Sequence, residues 1–196
     1  MRIIGLDPGL RHTGWGVVDM DGSHLAFVGC GTVDPPGSLP MADRLKALHD
    51  ELMQILQRVA PDEAAVEETF LNKNPGTTLK LGHARGVVLL APALAGLPVA
   101  EYAAKSVKQA VVGTGSATKD QIGVMVRTLL PGARPESEDA ADALAVAICH
   151  GHHGATSRAW SGGGPTTQYA TGQHATGQHA GGQHAGGRFR TGGGAR

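Results

Sequence analysis

Four carboxylates are placed where a folded chain carries acids at a cost. Asp7 ends the apolar run Ile3-Ile4-Gly5-Leu6, and Glu67 ends the run Ala64-Ala65-Val66. Asp139 and Asp142 open a stretch, residues 140–149, that is otherwise Ala, Leu, Val, Ile and Cys. An ionised carboxylate on a buried element is costly unless positive charge compensates it. No basic residue stands close to any of the four in sequence, so a divalent cation is the simplest compensation. Acids without Cys or a clear ligand His select hard ions, Mg²⁺ or Mn²⁺, which prefer oxygen. Four carboxylates suffice for two such ions about 4 Å apart, which activate a water and stabilise the leaving oxygen of an in-line phosphoryl displacement. The implied chemistry is phosphodiester hydrolysis.

Each acid also has an ordinary explanation. Asp7-Pro8-Gly9 is a turn signature in which Asp accepts local hydrogen bonds, although Gly14 and Gly16 just beyond it would let backbone approach closely. Glu67 stands beside Glu68. Adjacent strand residues face opposite ways, so one faces the site and the other faces solvent, and the pattern does not choose between them. Acids in a first helical turn favour the macrodipole, with Ser137 as N-cap. That accounts for one acid. It accounts less well for two acids three apart, hence on one face, of a helix that is apolar nearly all round.

Residues 2–7 read as a buried strand stopped by Pro8-Gly9. Residues 14–19 and 25–33 read as two more, joined by the hairpin signal Asp21-Gly22. From 41 to 59 the spacing of Leu45, Leu48, Leu52, Ile55, Leu56 and Val59 predicts a helix, ended by Pro61. A fourth strand is expected at 64–69, a second helix at 77–95 and a fifth strand at 99–102. Three helices are expected at 105–112, 119–130 and 139–151. The order β-β-β-α-β-α-β-α-α-α implies one mixed α/β sheet of five strands flanked by helices. Ligands gather at the carboxyl ends of parallel strands in such sheets, and Asp7 and Glu67 both lie there.

Composition is uneven along the 196 residues. Residues 1–150 carry 13 basic and 17 acidic groups, a net of −4, whereas the remainder holds Arg158, Arg188, Arg190 and Arg196 and no acid. Any nucleic-acid binding must therefore come from local patches rather than global charge. Residues 1–152 suit one domain with a real core. Residues 153–196 form a tail rich in Gly, Gln and His with a five-residue repeat, Ala170-Thr171-Gly172-Gln173-His174 and its successors. It has no apolar stripe and is expected to be disordered. Two isolated cysteines and no signal peptide fit a reducing cytoplasm, and no apolar run is long enough for a membrane span.

The motifs in order resemble one family closely. Ile4-Gly5-Leu6-Asp7-Pro8-Gly9, Glu67 with Phe70 and Asn72-Lys73-Asn74, Leu79-Lys80-Leu81-Gly82-His83-Ala84-Arg85-Gly86, Val107-Lys108-Gln109 and Asp139-Ala140-Ala141-Asp142-Ala143-Leu144-Ala145 are similar to RuvC, the bacterial Holliday junction resolvases. The resemblance covers residues 1–152. It implies a ribonuclease H-like fold and a homodimeric, Mg²⁺-dependent endonuclease that nicks two strands of a four-way DNA junction symmetrically. It also implies work beside a branch-migration helicase complex, RuvA and RuvB. By it Asp7, Glu67, Asp139 and Asp142 are the catalytic acids, which favours Glu67 over Glu68. Phe70 is expected to stack on opened bases, worth about 1–3 kcal/mol. Lys108 and Lys119 are expected to contact the phosphate backbone, with Lys73, Lys80, Arg85 and Lys105 as further candidates. Two other readings compete: a junction binder that has lost cleavage, and a nucleotide-binding enzyme of the actin and sugar-kinase type. The chain's single domain argues against the second, and its four acids argue against the first.

Overall fold

In the computed structural model the described residues are 1–68 and 74–161. β1 (Arg2–Asp7), β2 (Thr13–Asp21) and β3 (His24–Val33) form an antiparallel meander. β4 (Glu63–Glu68) and β5 (Val99–Ala103) extend it in parallel, giving the order β3-β2-β1-β4-β5. Gly22 opens the turn between β2 and β3 at φ 58, a conformation open to glycine without steric cost.

Alternation along the strands divides the core into two layers. On one face, α1 (Met41–Val59) presents Leu48, Leu52 and Ile55, and α2 (Pro75–Leu94) presents Ala84, Val88 and Ala91, to Ile4, Leu6 and Val66. On the other, α3 (Ala104–Val112), α4 (Lys119–Leu129) and α5 (Glu138–Ser161) pack over Ile3, Val18 and Ala65.

α5 lies on the strands more closely than side chains ordinarily permit, because glycines line its bed. A Cβ on Gly5 would fall 2.2 Å from the Ala143 carbonyl oxygen, and one on Gly14 would fall 2.0 Å from that of Asp139. One on Gly16 would fall 2.7 Å from the Leu144 nitrogen. Across the ladder Gly5 pairs with Gly16 and Asp7 with Gly14, so the bed runs directly to Asp7.

Two helix limits differ from those the periodicity suggests. α2 begins at Pro75, because the Asn74 side-chain oxygen accepts the Gly76 and Thr77 N–H groups at 2.9 and 3.3 Å and proline suits a first helical position. α5 continues past residue 151 to Ser161. Among the described residues no helix is long and apolar enough to cross a membrane. Cys30 and Cys149 are free thiols. The Gln-His repeat expected to be disordered lies outside the described residues.

Candidate active site

β1 and β4 are parallel neighbours with Leu6 opposite Val66. Their next residues, Asp7 and Glu67, therefore lie side by side at the carboxyl ends of these strands, where open α/β sheets gather ligands. Parity separates the two glutamates. Glu67 follows Ala65 onto the α5 side and is half-buried, whereas Glu68 is exposed. α5 brings the other two acids. The Ser137 hydroxyl accepts the Ala140 N–H at 3.1 Å and starts the helix, and Gly14 seats the Asp139 backbone on β2.

The four acids feel one another. Asp7 is pushed up to about 8, first by burial and then by the charges of Glu67, Asp142 and Asp139. Glu67 is pushed up to about 7 by burial and by Asp142, with Lys108 and Lys119 opposing. Asp142 is also raised, mainly by burial, against the pull of Lys119. Among the described residues no three His, Cys, Asp or Glu side chains are gathered tightly enough to grip an ion as they stand. The donor set is nonetheless all oxygen, and the anionic forms of Asp7, Glu67 and Asp142 are held back by burial first and then by neighbouring carboxylates. A small, doubly charged cation among them would reverse both effects, so the residues suit a hard divalent ion.

The fold supplies basic neighbours that are remote in sequence. Lys119, the first residue of α4, places Nζ 2.9 Å from Glu138 Oε2 and 3.5 Å from Asp142 Oδ2. A capping box fixes that helix start: Thr118 Oγ1 accepts the Gln121 N–H, and Gln121 Oε1 accepts the Thr118 N–H. Lys108 acts on Glu67 from α3. Glu138, which the sequence did not single out, becomes part of this charge group. Other groups hold the turn that follows Asp7. The buried Thr13 hydroxyl donates to the Gly9 carbonyl at 2.5 Å, and Arg44 Nη2 donates to the Leu10 carbonyl at 2.8 Å.

The remaining basic candidates are more dispersed. Lys80 is exposed on α2. Lys105 lies against the loop between α3 and α4, where a Cβ on Gly115 would come within 2.6 Å of its Cγ. Arg85 is paired with Glu101. Glu101 sits opposite Val66 in the ladder, so this pair belongs to the α2 side of the sheet rather than to the side of the acids. Phe70 and Lys73 fall in residues 69–73, outside the described residues.

The family model described as Crossover junction endodeoxyribonuclease RuvC matches residues 3–150. A crossover junction endodeoxyribonuclease RuvC from Xanthobacter autotrophicus is 64% identical over 160 residues, spanning 81% of this chain and 95% of that protein. A structure of Thermus thermophilus RuvC in complex with Holliday junction substrate aligns with a TM-score of 0.75 at 34% identity, covering 80% of this chain and 96% of that one. The yeast mitochondrial Holliday junction resolvase Ydc2, 12% identical with a TM-score of 0.59 over 82% of this chain and 81% of that one, shares the fold. The sheet order, the flanking helices and these neighbours agree with the expected ribonuclease H-like architecture. The match spans the elements that carry all four acids, and the chain belongs to the RuvC family of crossover junction endodeoxyribonucleases.

Proposed function

We propose that this chain resolves four-way DNA junctions, with Asp7, Glu67, Asp139 and Asp142 holding Mg²⁺, two ions per site, for which Mn²⁺ can substitute. The observation that carries this reading is the convergence of acids from β1, β4 and α5 at a partly buried edge, where burial first and neighbouring carboxylates second raise Asp7 to about 8 and Glu67 to about 7. Bound divalent ions supply an activated water and neutralise charge on the leaving oxygen. The chain's own part is to fix the acids on a rigid sheet edge and to guide the strand to them. Lys119 and Lys108 flank the acids and suit phosphates beside the cut. Lys80 and Lys105 suit backbone farther away, as does Lys73 on the resemblance. Phe70 is proposed to stack on a base there. Arg85, engaged with Glu101, is the weakest of these candidates.

A synthetic four-way junction with and without Mg²⁺, and a linear duplex as control, tests this directly. Paired, ligatable nicks at symmetric positions are expected in the junction alone, and only with the ion. Equal cutting in EDTA would overturn the metal reading. Retention of all four acids speaks against a silent junction binder.

A homodimer is part of the proposal, and α2 offers a surface for it. Leu79, Leu90 and Leu94 are 63%, 51% and 63% exposed, at helical spacings that put them along one stripe. Between them a Cβ on Gly82 or Gly86 would meet nothing within 4 Å, so a second backbone can approach. A two-fold dimer offers two like sites to two symmetry-related strands. Leu90→Glu is expected to weaken the dimer by roughly tenfold or more, read by sedimentation, with the fold intact by circular dichroism. An unchanged dimer would place the interface elsewhere. Work beside a RuvA and RuvB branch-migration complex is proposed on family resemblance alone.

A further inference from the structure

One partly buried polar cluster has no part in the proposed chemistry. His150, little more than two turns beyond Asp142 on α5, is 8% exposed. Its Nε2 lies 2.6 Å from Glu63 Oε2, and its Nδ1 lies 2.9 Å from the Tyr102 hydroxyl. Glu63 opens β4 and Tyr102 lies on β5, so three elements meet at one imidazole. Burial pushes the Tyr102 hydroxyl up to about 12, and it keeps its proton. Nε2–H donates to the Glu63 carboxylate, which can only accept, and Nδ1 is hydrogen-bonded to the Tyr102 hydroxyl. Both imidazole nitrogens are thus engaged by side chains from other elements. The Tyr102 ring is further held by stacking on His153, with centroids 5.4 Å apart.

This cluster bears on the acids through two connections. Tyr102 is the ladder partner of Glu67. His150 shares a rigid helix with Asp142, about 12 Å away along its axis. Between them α5 rides on Gly5, Gly14 and Gly16 with Ala140, Ala143 and Ala147 among its buried residues. That bed fixes how near the helix lies to the sheet. It does less to fix where the helix stops along its axis, because backbone on backbone presents few protrusions. Leu144 and Ile148 grip the sheet through apolar contacts, which tolerate small slides. Hydrogen bonds weaken over a few tenths of an ångström and with angle, and they resist sliding.

We propose that the Glu63–His150–Tyr102 chain is a latch that sets the axial register of α5 on the sheet, and with it the placement of Asp139 and Asp142 against Asp7 and Glu67. These are positioning residues, and the latch matters for cleavage only if the four acids act as proposed above.

Three variants of the full-length chain test it: His150→Leu, Tyr102→Phe and Glu63→Gln. The readouts are thermal midpoint, junction binding in EDTA, Mn²⁺ affinity by calorimetry and kcat in saturating Mg²⁺. His150→Leu is expected to weaken Mn²⁺ binding and to lower kcat, each by about tenfold or more, as loss of an outer orienting partner does. Junction binding should be unchanged. Tyr102→Phe removes one hydroxyl and keeps the ring, and a smaller loss of the same kind is expected. Glu63→Gln retains an accepting oxygen and should stay near the parent chain. A purely structural role would lower the midpoint while leaving Mn²⁺ affinity and kcat per folded molecule unchanged in His150→Leu and Tyr102→Phe, and that result overturns the latch. If His150→Leu does not fold, Tyr102→Phe decides alone, and unaltered Mn²⁺ affinity there is equally fatal. Failure of the underlying metal reading is distinct: Asp142→Asn would then leave Mn²⁺ binding untouched, and the parent chain would cut without a divalent ion.

Discussion

Asp7→Asn is expected to abolish nicking of a four-way junction in Mg²⁺ while leaving junction binding intact. Asp7 is the acid most affected by the other three, and it sits between Glu67 on the neighbouring strand and Asp139 beyond Gly14. An amide keeps the shape but contributes no charge to the donor set. The transition-state charge stabilisation expected of bound ions is several kcal/mol, so losing much of it lowers kcat on the order of a thousandfold or more. Gel-shift binding in EDTA and single-turnover cleavage in Mg²⁺ separate the two effects. Cleavage at the parent rate would remove Asp7 from the site.

The same variant carries a stability signature of opposite sign. Asp7 is raised to about 8 in the fold, against an ordinary value of 3.8. Between those values the unfolded chain has released the proton and the folded chain retains it. Without divalent ions, stability therefore falls as pH rises from about 4 to about 8, and the loss is complete above that. Glu67 adds a loss of the same sign up to about 7. Asn cannot ionise, so the variant should melt above the parent at pH 8 and converge with it near pH 4. The gap is on the order of a few kcal/mol after allowance for solvent at the site. Divalent ions, binding the folded parent more tightly than the variant, should narrow or reverse it.

What the sequence disclosed and what it withheld follow from how far each feature reaches along the chain. The run Ile3-Ile4-Gly5-Leu6, the spacing of Leu48, Leu52 and Ile55, and the Asp21-Gly22 turn are local, and all three elements form where expected. The misplaced acids were visible because each breaks a local apolar pattern. Choosing Glu67 over Glu68 needs the face that β4 turns to α5, which is a property of the neighbour. Lys119 beside Glu138 and Asp142, and Arg85 beside Glu101, are likewise contacts between separate elements. Gly14 and Gly16 predict a close approach of backbone beside Asp7, and the backbone that approaches them is that of α5. Periodicity marks a residue as small without saying what fills the space.

Gly14→Ala makes that space measurable and is the second large effect expected. The added methyl would fall 2.0 Å from the Asp139 carbonyl oxygen and 2.5 Å from its carbon. Both are backbone atoms, so no rotamer change relieves the clash. Either the first turn of α5 lifts, or β2 parts from β1 beside Asp7. Overpacking of this kind costs about 1–3 kcal/mol of stability. The catalytic loss should be larger in proportion, about a hundredfold, because a shift near 1 Å at a reacting centre has that effect. Gly5→Ala, deeper under Ala143 and Ala147, should reverse the balance, with more stability lost for each decade of activity. Gly123→Ala is the control. Its methyl would meet only Arg127 Nη1 at 3.5 Å, and within α4 it should gain about 0.5–1 kcal/mol from helix propensity with cleavage unchanged. Thermal midpoints and single-turnover rates on one junction rank the three. If Gly14→Ala keeps the parent rate, then the seat of Asp139 on β2 does not set the geometry of the cut, and the acid pair on α5 must be positioned by something other than the sheet beneath it.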